Sequence, residues 1–146
     1  MPMIDVYAAT GTFPDTHTLA RDLATAVMTV ERVPDIPMFR ENTAAFVHEL
    51  PAAAISNVNG DSTYVRVQVL TNAGALDREK QVAVVAQLTS IVAGAAGDPS
   101  LADRIWVKDA TARFADGVAR LRVAVGRPEE NAAFVSSLER WYVEQG

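Results

Sequence analysis

Hydrophobic and polar residues alternate in two short segments of the chain, and a helical pattern follows each of them. The first segment runs from Met3 to Ala8 and the second from Tyr64 to Leu70, so each predicts a strand with one buried face. Asp15 or Thr16 is expected to cap the first helix, and Asp77 the second, because a short oxygen side chain accepts an unpaired backbone N–H. The predicted apolar stripe of the first helix comprises Leu19, Leu23, Val27 and Val30. The predicted stripe of the second helix comprises Val82, Val85, Leu88 and Val92.

Proline and glycine residues separate these elements and reveal an internal repeat. Pro34 and Pro37 are expected to stop the first helix, and the segment from Thr43 to Leu50 then reads as a strand. Gly94, Gly97 and Pro99 are expected to stop the second helix, and a fourth strand begins at Ile105. The two halves therefore match at a spacing of about 60 residues, which indicates a tandem duplication of a β-α-β unit. We predict an α/β (α+β) fold with one mixed four-stranded sheet and both helices on one face.

The predicted organisation is a single domain spanning residues 1–146. Repeat one covers residues 2–61, repeat two covers residues 62–109, and a divergent C-terminal segment covers residues 110–146. That last segment contains the sequence RLRVAV, which is typical of a further strand, and ends in a predicted helix. The apolar stripe of that C-terminal helix comprises Phe134, Val135, Leu138, Trp141 and Tyr142.

Composition narrows the classes of function. The chain has 146 residues, a net charge of -5 and no cysteine, which excludes a disulfide scaffold, a thiol nucleophile and a cysteine metal site. It contains no long basic run, so we expect neither nucleic acid nor an anionic membrane as a partner. His17 and His48 do not form a metal-ligand motif, and no metal or organic cofactor is expected. Without a signal-peptide pattern or a long apolar segment, a cytoplasmic location is expected.

The N-terminus carries the most informative chemistry. Met1 precedes a small residue and is expected to be removed, which leaves Pro2 as a secondary amine directly before a strand. Burial in an apolar pocket, or a nearby positive charge, lowers the pKa of an ammonium group. An amine that is unprotonated at neutral pH is able to act as a general base on a carbon acid, and a protonated one as an acid.

The whole pattern resembles the tautomerase superfamily. The opening MPMIDVYAATGTFPDTHTLARDLATAV has the proline, alternating strand, glycine break and long helix of that family, and residues 64–107 resemble the same unit again. The chain is similar to the long, two-repeat members, which include the malonate semialdehyde decarboxylase, chloroacrylate dehalogenase and macrophage migration inhibitory factor groups. The resemblance covers roughly residues 2 to 109 and implies a cofactor-free enzyme that forms a homotrimer and acts on a small carboxylate substrate.

The resemblance also implies roles for particular residues. Pro2 would be the catalytic base, since the equivalent position of the second repeat holds Thr63. Arg104 matches the arginine that opens the equivalent strand in the short relatives, and Arg66 lies close to where the long relatives place carboxylate-binding arginines. Binding a substrate carboxylate suits the planar, permanently charged guanidinium. Ala44 takes the position in the first repeat that corresponds to Arg104, so the substrate-binding set differs from that of the short enzymes.

Four further residues are candidates for the pocket. Arg40 would add a cation, and Asp35 lies where relatives that decarboxylate or hydrate their substrates place a water-activating carboxylate. Tyr64 and Trp106 would line the apolar part of the pocket. Relatives commonly end in a hairpin rich in glycine and aromatic residues that closes the pocket, and residues 110–146 depart from that pattern.

Three functions are consistent with the sequence. The first is a tautomerase that uses Pro2 to move a proton on an enolisable oxo acid. The second uses the same proline for decarboxylation, hydration or dehalogenation of a small unsaturated or oxo acid. The third is a non-catalytic trimeric interaction protein that keeps the fold.

Overall fold

The computed structural model describes residues 2–109, and for residues 103, 104 and 106–109 it describes the backbone. The predictions for residues 110–146, a further strand and a C-terminal helix, lie outside the described residues. The described elements in chain order are β1 (Met3–Ala9), α1 (Thr16–Glu31), α2 (Pro37–Glu41), β2 (Ala44–Leu50), β3 (Val65–Leu70), α3 (Arg78–Ala96) and β4 (Ile105–Asp109). Short 3-10 turns at Ala52–Ala54 and Pro99–Arg104 complete the connections.

The four strands form one mixed sheet in the order β2-β1-β3-β4. β1 runs parallel to β2, and β3 runs parallel to β4, so α1 and α3 are the crossovers of two β-α-β units. The two units meet in the centre, where β1 and β3 pair antiparallel. The predicted duplication and mixed sheet are therefore confirmed.

The core lies on one face of the sheet, beneath α1 and α3. Ile4, Val6 and Ala8 of β1 are fully buried, and the alternate residues of β3 are buried with them. From the helices, Leu23 and Leu88 join the same cluster, so both helices cover one face as predicted. The opposite face of the described sheet has no helix of residues 2–109 over it, and its side chains alternate with the core residues along each strand.

Side-chain caps fix where the two long helices begin. The Asp15 carboxylate accepts hydrogen bonds from the backbone N–H of Thr18 at 2.9 Å and from its hydroxyl at 2.7 Å. Asp77 likewise accepts the backbone N–H of Lys80 at 2.9 Å. These caps satisfy donors that have no partner inside the helix, and both were predicted from the sequence. α3 ends where Gly97 takes a left-handed conformation with φ 67°, a geometry that glycine adopts without strain.

The Asp15 cap gives a pH-dependent prediction. The hydrogen bonds from Thr18 hold the pKa of the Asp15 carboxyl below its ordinary value of 3.8, so its contribution is present above that value and is lost as the pH falls through the lower folded pKa. We expect Asp15→Ala to lower the thermal midpoint by roughly a few degrees at neutral pH. Thermal unfolding followed by circular dichroism should show this difference shrinking as the solution is acidified.

The control for this experiment is Asp22→Ala. Asp22 is an acidic residue of the same helix whose side chain accepts from the adjacent Arg21 rather than from the backbone. A cap effect that stays constant down to strongly acidic pH would contradict the assignment of Asp15.

Pro34 and Pro37 follow the end of α1, as predicted, and Pro37 also begins the short helix α2, because the first turn of a helix needs no N–H from that position. Two local predictions were wrong. Gly94 was expected to help stop the second helix, yet α3 continues through it to Ala96. Val82 was expected to be buried, yet 56% of it is exposed, whereas Val84 is 3% exposed. Three valines within four residues place apolar side chains around most of that helix turn, so spacing alone did not determine its buried face.

Within the part of the chain that the structure describes, no helix is both long and apolar enough to cross a membrane.

Candidate active site

Pro2 is buried at one end of the sheet, where β1 and β2 begin and β3 ends. Its carbonyl accepts a hydrogen bond from the backbone N–H of Ala44 at 3.3 Å, which ties it to β2. On the other side of β1, Met3 pairs with Leu70, so Thr71 follows in register opposite Pro2. Pro2 is therefore held between two neighbouring strands rather than lying in a frayed terminus.

The helix termini near Pro2 bring buried polar groups to the same end. α1 ends at Glu31, which is 8% exposed, and the hydroxyl of Thr71, itself 5% exposed, donates a hydrogen bond to the Glu31 carboxylate. The ammonium of Lys80, in the first turn of α3, donates to the backbone carbonyls of Glu31 at 3.2 Å and Ala75 at 3.4 Å. A hydroxyl, a carboxylate and an ammonium group therefore lie close together near the start of β1.

The connection from α1 to β2 contributes Asp35 and Arg40 at this end. Arg40 lies in α2, four residues before Ala44, and its guanidinium forms an ion pair with Asp35 at 2.7 Å. The hydrogen bond to Asp35, together with the negative charge of that carboxylate, raises the pKa of Arg40 above its ordinary value. Both side chains are mostly exposed, so the structure brings these two predicted pocket residues together at the rim of the sheet end.

Arg66 lies on the face of the sheet away from the helices. It pairs with Tyr7 across β1 and β3, and its guanidinium carbon is 5.5 Å from the centre of the Tyr7 ring. It also donates a hydrogen bond to Gln68 at 2.9 Å. Tyr7 is five residues along β1 from Pro2, which corresponds to about 16 Å between their Cα atoms. Within one chain, the structure does not bring Arg66 to Pro2.

Tyr64, Arg104 and Trp106 lie toward the other end of the sheet. Tyr64 directly precedes β3, and its hydroxyl accepts a hydrogen bond from the Asn57 side chain at 2.9 Å. Arg104 directly precedes β4, which starts beside β3, and the backbone of Trp106 pairs with Arg66. These predicted residues therefore group with Arg66 and away from Pro2 of the same chain.

A polar cluster that the sequence did not single out lies on the open face of the sheet. His48 Nε2 lies 2.7 Å from an oxygen of Asp5, and the His48 ring stacks on Tyr7 with 4.5 Å between ring centres. The alternation of β1 was a usable signal, because it puts Asp5 and Tyr7 on the face opposite the core.

Glu31 and Thr71 were also missed. The spacing of four residues that links Leu23 and Val27 continues to Glu31, so Glu31 lies on the buried stripe of α1. A carboxylate on that stripe was the signal in the sequence. Among the described residues, no group of three or more His, Asp or Glu side chains is arranged to hold a metal ion.

Several solved structures share this fold. One is a member of the cis-3-chloroacrylic acid dehalogenase family, with a TM-score of 0.61 and 16% identity over 97% of this chain and 99% of that chain. Another is a fused 4-OT described as a symmetric trimer, with a TM-score of 0.58 and 23% identity over 80% of this chain and 94% of that chain. A third, Pt0534 inactivated by 2-oxo-3-pentynoate, has a TM-score of 0.63 and 17% identity over 84% of this chain and 94% of that chain.

This chain thus consists of two β-α-β units with Pro2 at the start of a central strand. This chain has the tautomerase-superfamily fold, as its sequence pattern predicted. No protein-family model matches the chain. No curated protein matches it either.

Proposed function

We propose that the protein is a cofactor-free tautomerase in which Pro2, exposed by removal of Met1, is the general acid and base. The observation that carries this proposal is the position of Pro2, which is buried at the start of a central strand and tied to β2 through its carbonyl. A catalytic amine has to be held in a fixed place relative to the substrate, and a strand in mid-sheet provides that.

The proposed reaction is the transfer of a proton between carbon and oxygen of an enolisable oxo acid. The Pro2 amine removes a proton from the carbon next to the ketone, the electrons move to the ketone oxygen, and an enolate forms. The Pro2 ammonium then returns the proton at the other atom. Positive charge beside the developing oxyanion lowers the barrier, and the partly dry environment of a buried proline strengthens that interaction.

We further propose that the substrate carboxylate is bound by an arginine of a second copy of the chain. Arg66 lies about 16 Å from Pro2 along the strands, too far to bind a small substrate at that amine. Arg104 lies beyond it, before the start of β4. A neighbouring copy whose opposite sheet end meets Pro2 would supply either guanidinium to the same pocket, so assembly and substrate binding are linked.

The open sheet face supports a homotrimer as that assembly. Met3, Phe46 and Leu70 lie on this face and are 37%, 46% and 47% exposed, respectively. Large apolar side chains on the same uncovered face are typical of an interface between subunits. The similar fused 4-OT is itself described as a trimer, which favours the same assembly for this chain.

The function is tested with a panel of small enol and unsaturated oxo acids. Ketonisation of phenylenolpyruvate is monitored as a decrease in the absorbance of the enol. The mass of the intact protein establishes whether Met1 has been removed. Treatment with 2-oxo-3-pentynoate, the compound that inactivates a similar protein, should add one reagent mass at the N-terminal peptide through attack of the amine on the alkyne. Retained Met1, or the absence of turnover and labelling, would contradict the proposal.

The same panel distinguishes the alternatives. Release of carbon dioxide, addition of water or release of halide would identify the decarboxylase, hydratase or dehalogenase variants of proline chemistry. Asp35 would then be the first carboxylate to replace, because it lies at the Pro2 end of the sheet. A trimer that is inert toward every compound, with a free amine at Pro2, would favour the non-catalytic interaction protein.

Replacement of the arginines has a distinct expected result. We expect Arg104→Gln or Arg66→Gln to reduce kcat/KM by roughly 10- to 100-fold, mainly through a higher KM, because a carboxylate loses a charged, bidentate partner. The matched control is Arg21→Gln, an exposed arginine of α1 paired with Asp22. Steady-state kinetics alongside size-exclusion chromatography separate lost substrate binding from lost assembly. Unchanged kinetics in both variants would remove these arginines from the site.

A further inference from the structure

Glu31 is a buried carboxylate that lacks a cationic partner among the described side chains. It is 8% exposed, and the hydrogen bond that its carboxylate receives comes from the neutral hydroxyl of Thr71. None of the ion pairs in the described part of the chain includes it. Its place at the C-terminus of α1 adds to the cost of a negative charge, because unpaired carbonyls give that end a partial negative charge. An ionised group in such a position requires a nearby positive charge.

The strand register brings Pro2 opposite Thr71, the residue that donates to this carboxylate. Ile4 and Val69 pair across β1 and β3 with both side chains buried toward the helices. Pro2 lies two residues before Ile4, and Thr71 lies two residues after Val69, so the antiparallel register brings them opposite one another. Both are buried on the same side of the sheet as Ile4 and Val69. Opposed residues of an antiparallel pair lie about 5 Å apart, so the group to which Thr71 donates also lies close to Pro2.

We infer that Glu31 is a positioning residue whose carboxylate is the counter-ion of the Pro2 ammonium. The inference rests on the proposed function in one respect, because it requires the free amine that removal of Met1 creates. Thr71 aims the carboxylate by donating its hydroxyl hydrogen, and the negative charge stabilises the protonated amine. Glu31 thereby raises the pKa of Pro2 and sets the pH at which Pro2 changes from acid to base.

Lys80 is the nearest described competitor for this role. Its ammonium donates to the carbonyls of Glu31 and Ala75, so it stabilises the end of α1 and the loop before α3 rather than pairing with the Glu31 carboxylate. Its positive charge partly opposes the effect of Glu31 on Pro2.

The remaining charged side chains that the structure describes at this sheet end are exposed. Arg32 pairs with Glu79, with 71% and 80% of the two side chains exposed. The exposed pair of Asp35 and Arg40 lies on α2 and the segment before it. Glu41 at the end of α2 and Asp77 and Arg78 at the start of α3 are exposed as well, and the backbone of β4 ends there at Lys108 and Asp109. Solvent screens such exposed charges, so the buried carboxylate exerts the largest effect on a buried amine.

The test is a direct titration of Pro2 by NMR in protein labelled with 13C-proline. The chain contains seven prolines, and the one with a free amine shifts its ring resonances as it titrates in the range of amines. We expect Glu31→Gln, which keeps the shape and the hydrogen-bonding oxygen, to lower the pKa of Pro2 by about 1 unit or more. Glu79→Gln removes an exposed carboxylate at the same sheet end and should shift it by a few tenths of a unit at most.

A second variant separates position from charge. Thr71→Val keeps the size of the side chain but removes the hydroxyl that orients the Glu31 carboxylate. The carboxylate stays charged but is no longer held in place, so the pKa of Pro2 should fall by less than in Glu31→Gln. A Pro2 pKa that is equal in wild type, Glu31→Gln and Glu79→Gln would overturn the inference. If the protein were inactive but Glu31→Gln still lowered the pKa of Pro2, the tautomerase proposal alone would be overturned. If no proline titrated, the amine would be blocked and both proposals would be overturned.

Discussion

Pro2→Ala is expected to reduce kcat for proton transfer by about 10²- to 10⁴-fold, the range over which a positioned general base accelerates such reactions. Alanine leaves a primary amine without the ring that fixes the nitrogen at the start of β1. The fold should persist, because the carbonyl of residue 2 still accepts the N–H of Ala44. The measurement is ketonisation of phenylenolpyruvate, with circular dichroism and size-exclusion chromatography to verify the structure.

Two further variants sharpen this test. Pro2→Leu places a large residue after Met1, so the methionine is expected to remain and the amine moves one residue away from the site. Pro51→Ala changes an exposed proline just after β2 and should keep full activity. If Pro2→Ala retained the wild-type rate with Met1 removed, the assignment of Pro2 would be wrong.

Leu88→Ala is expected to reduce the free energy of unfolding by about 2–5 kcal/mol. Leu88 is fully buried in α3 and belongs to the core between helices and sheet, so truncation removes apolar contacts and leaves a cavity. Urea unfolding monitored by circular dichroism gives the difference. If the protein is a trimer, the comparison requires equal protein concentrations, because dissociation contributes to the apparent stability.

Val82→Ala is the matched control on the same helix. Val82 is 56% exposed, so its replacement by alanine should change the free energy of unfolding by no more than about 0.5 kcal/mol. A large loss for Val82→Ala together with a small one for Leu88→Ala would mean that α3 presents a different face to the sheet.

The comparison of these two positions shows what the sequence pattern was able to predict. In β1 the apolar Ile4, Val6 and Ala8 alternate with Asp5 and Tyr7, so the buried face followed directly from the alternation. In α3 apolar side chains occur on several sides, and the buried face depends on the sheet beneath, which local spacing does not contain. Helix starts were predictable for a local reason, because Asp15 and Asp77 bond to N–H groups three residues away.

The site was predictable only in part. The position of Pro2 at the start of a strand is a local fact, and it led to the proposed amine chemistry. Whether Arg66 reaches that amine depends on the antiparallel pairing of the two repeats, which puts the guanidinium over Tyr7 instead. The partner of Glu31 is 40 residues away in the chain, so its bond to Thr71 emerges only once α1 and β3 are packed together.

Because β1 and β3 pair antiparallel, the two β-α-β units run in opposite directions and are related by an approximate two-fold rotation. The second repeat begins inside the chain at Thr63, where a peptide bond takes the place of a free amine, so the two β-α-β units share the one amine proposed at Pro2. Because the second repeat has no free amine at its start, a proline is not required there. Residues at that end of the sheet are therefore free to change. Substitutions at Arg104, before β4, and at Tyr64, before β3, could create a new specificity without altering the amine itself.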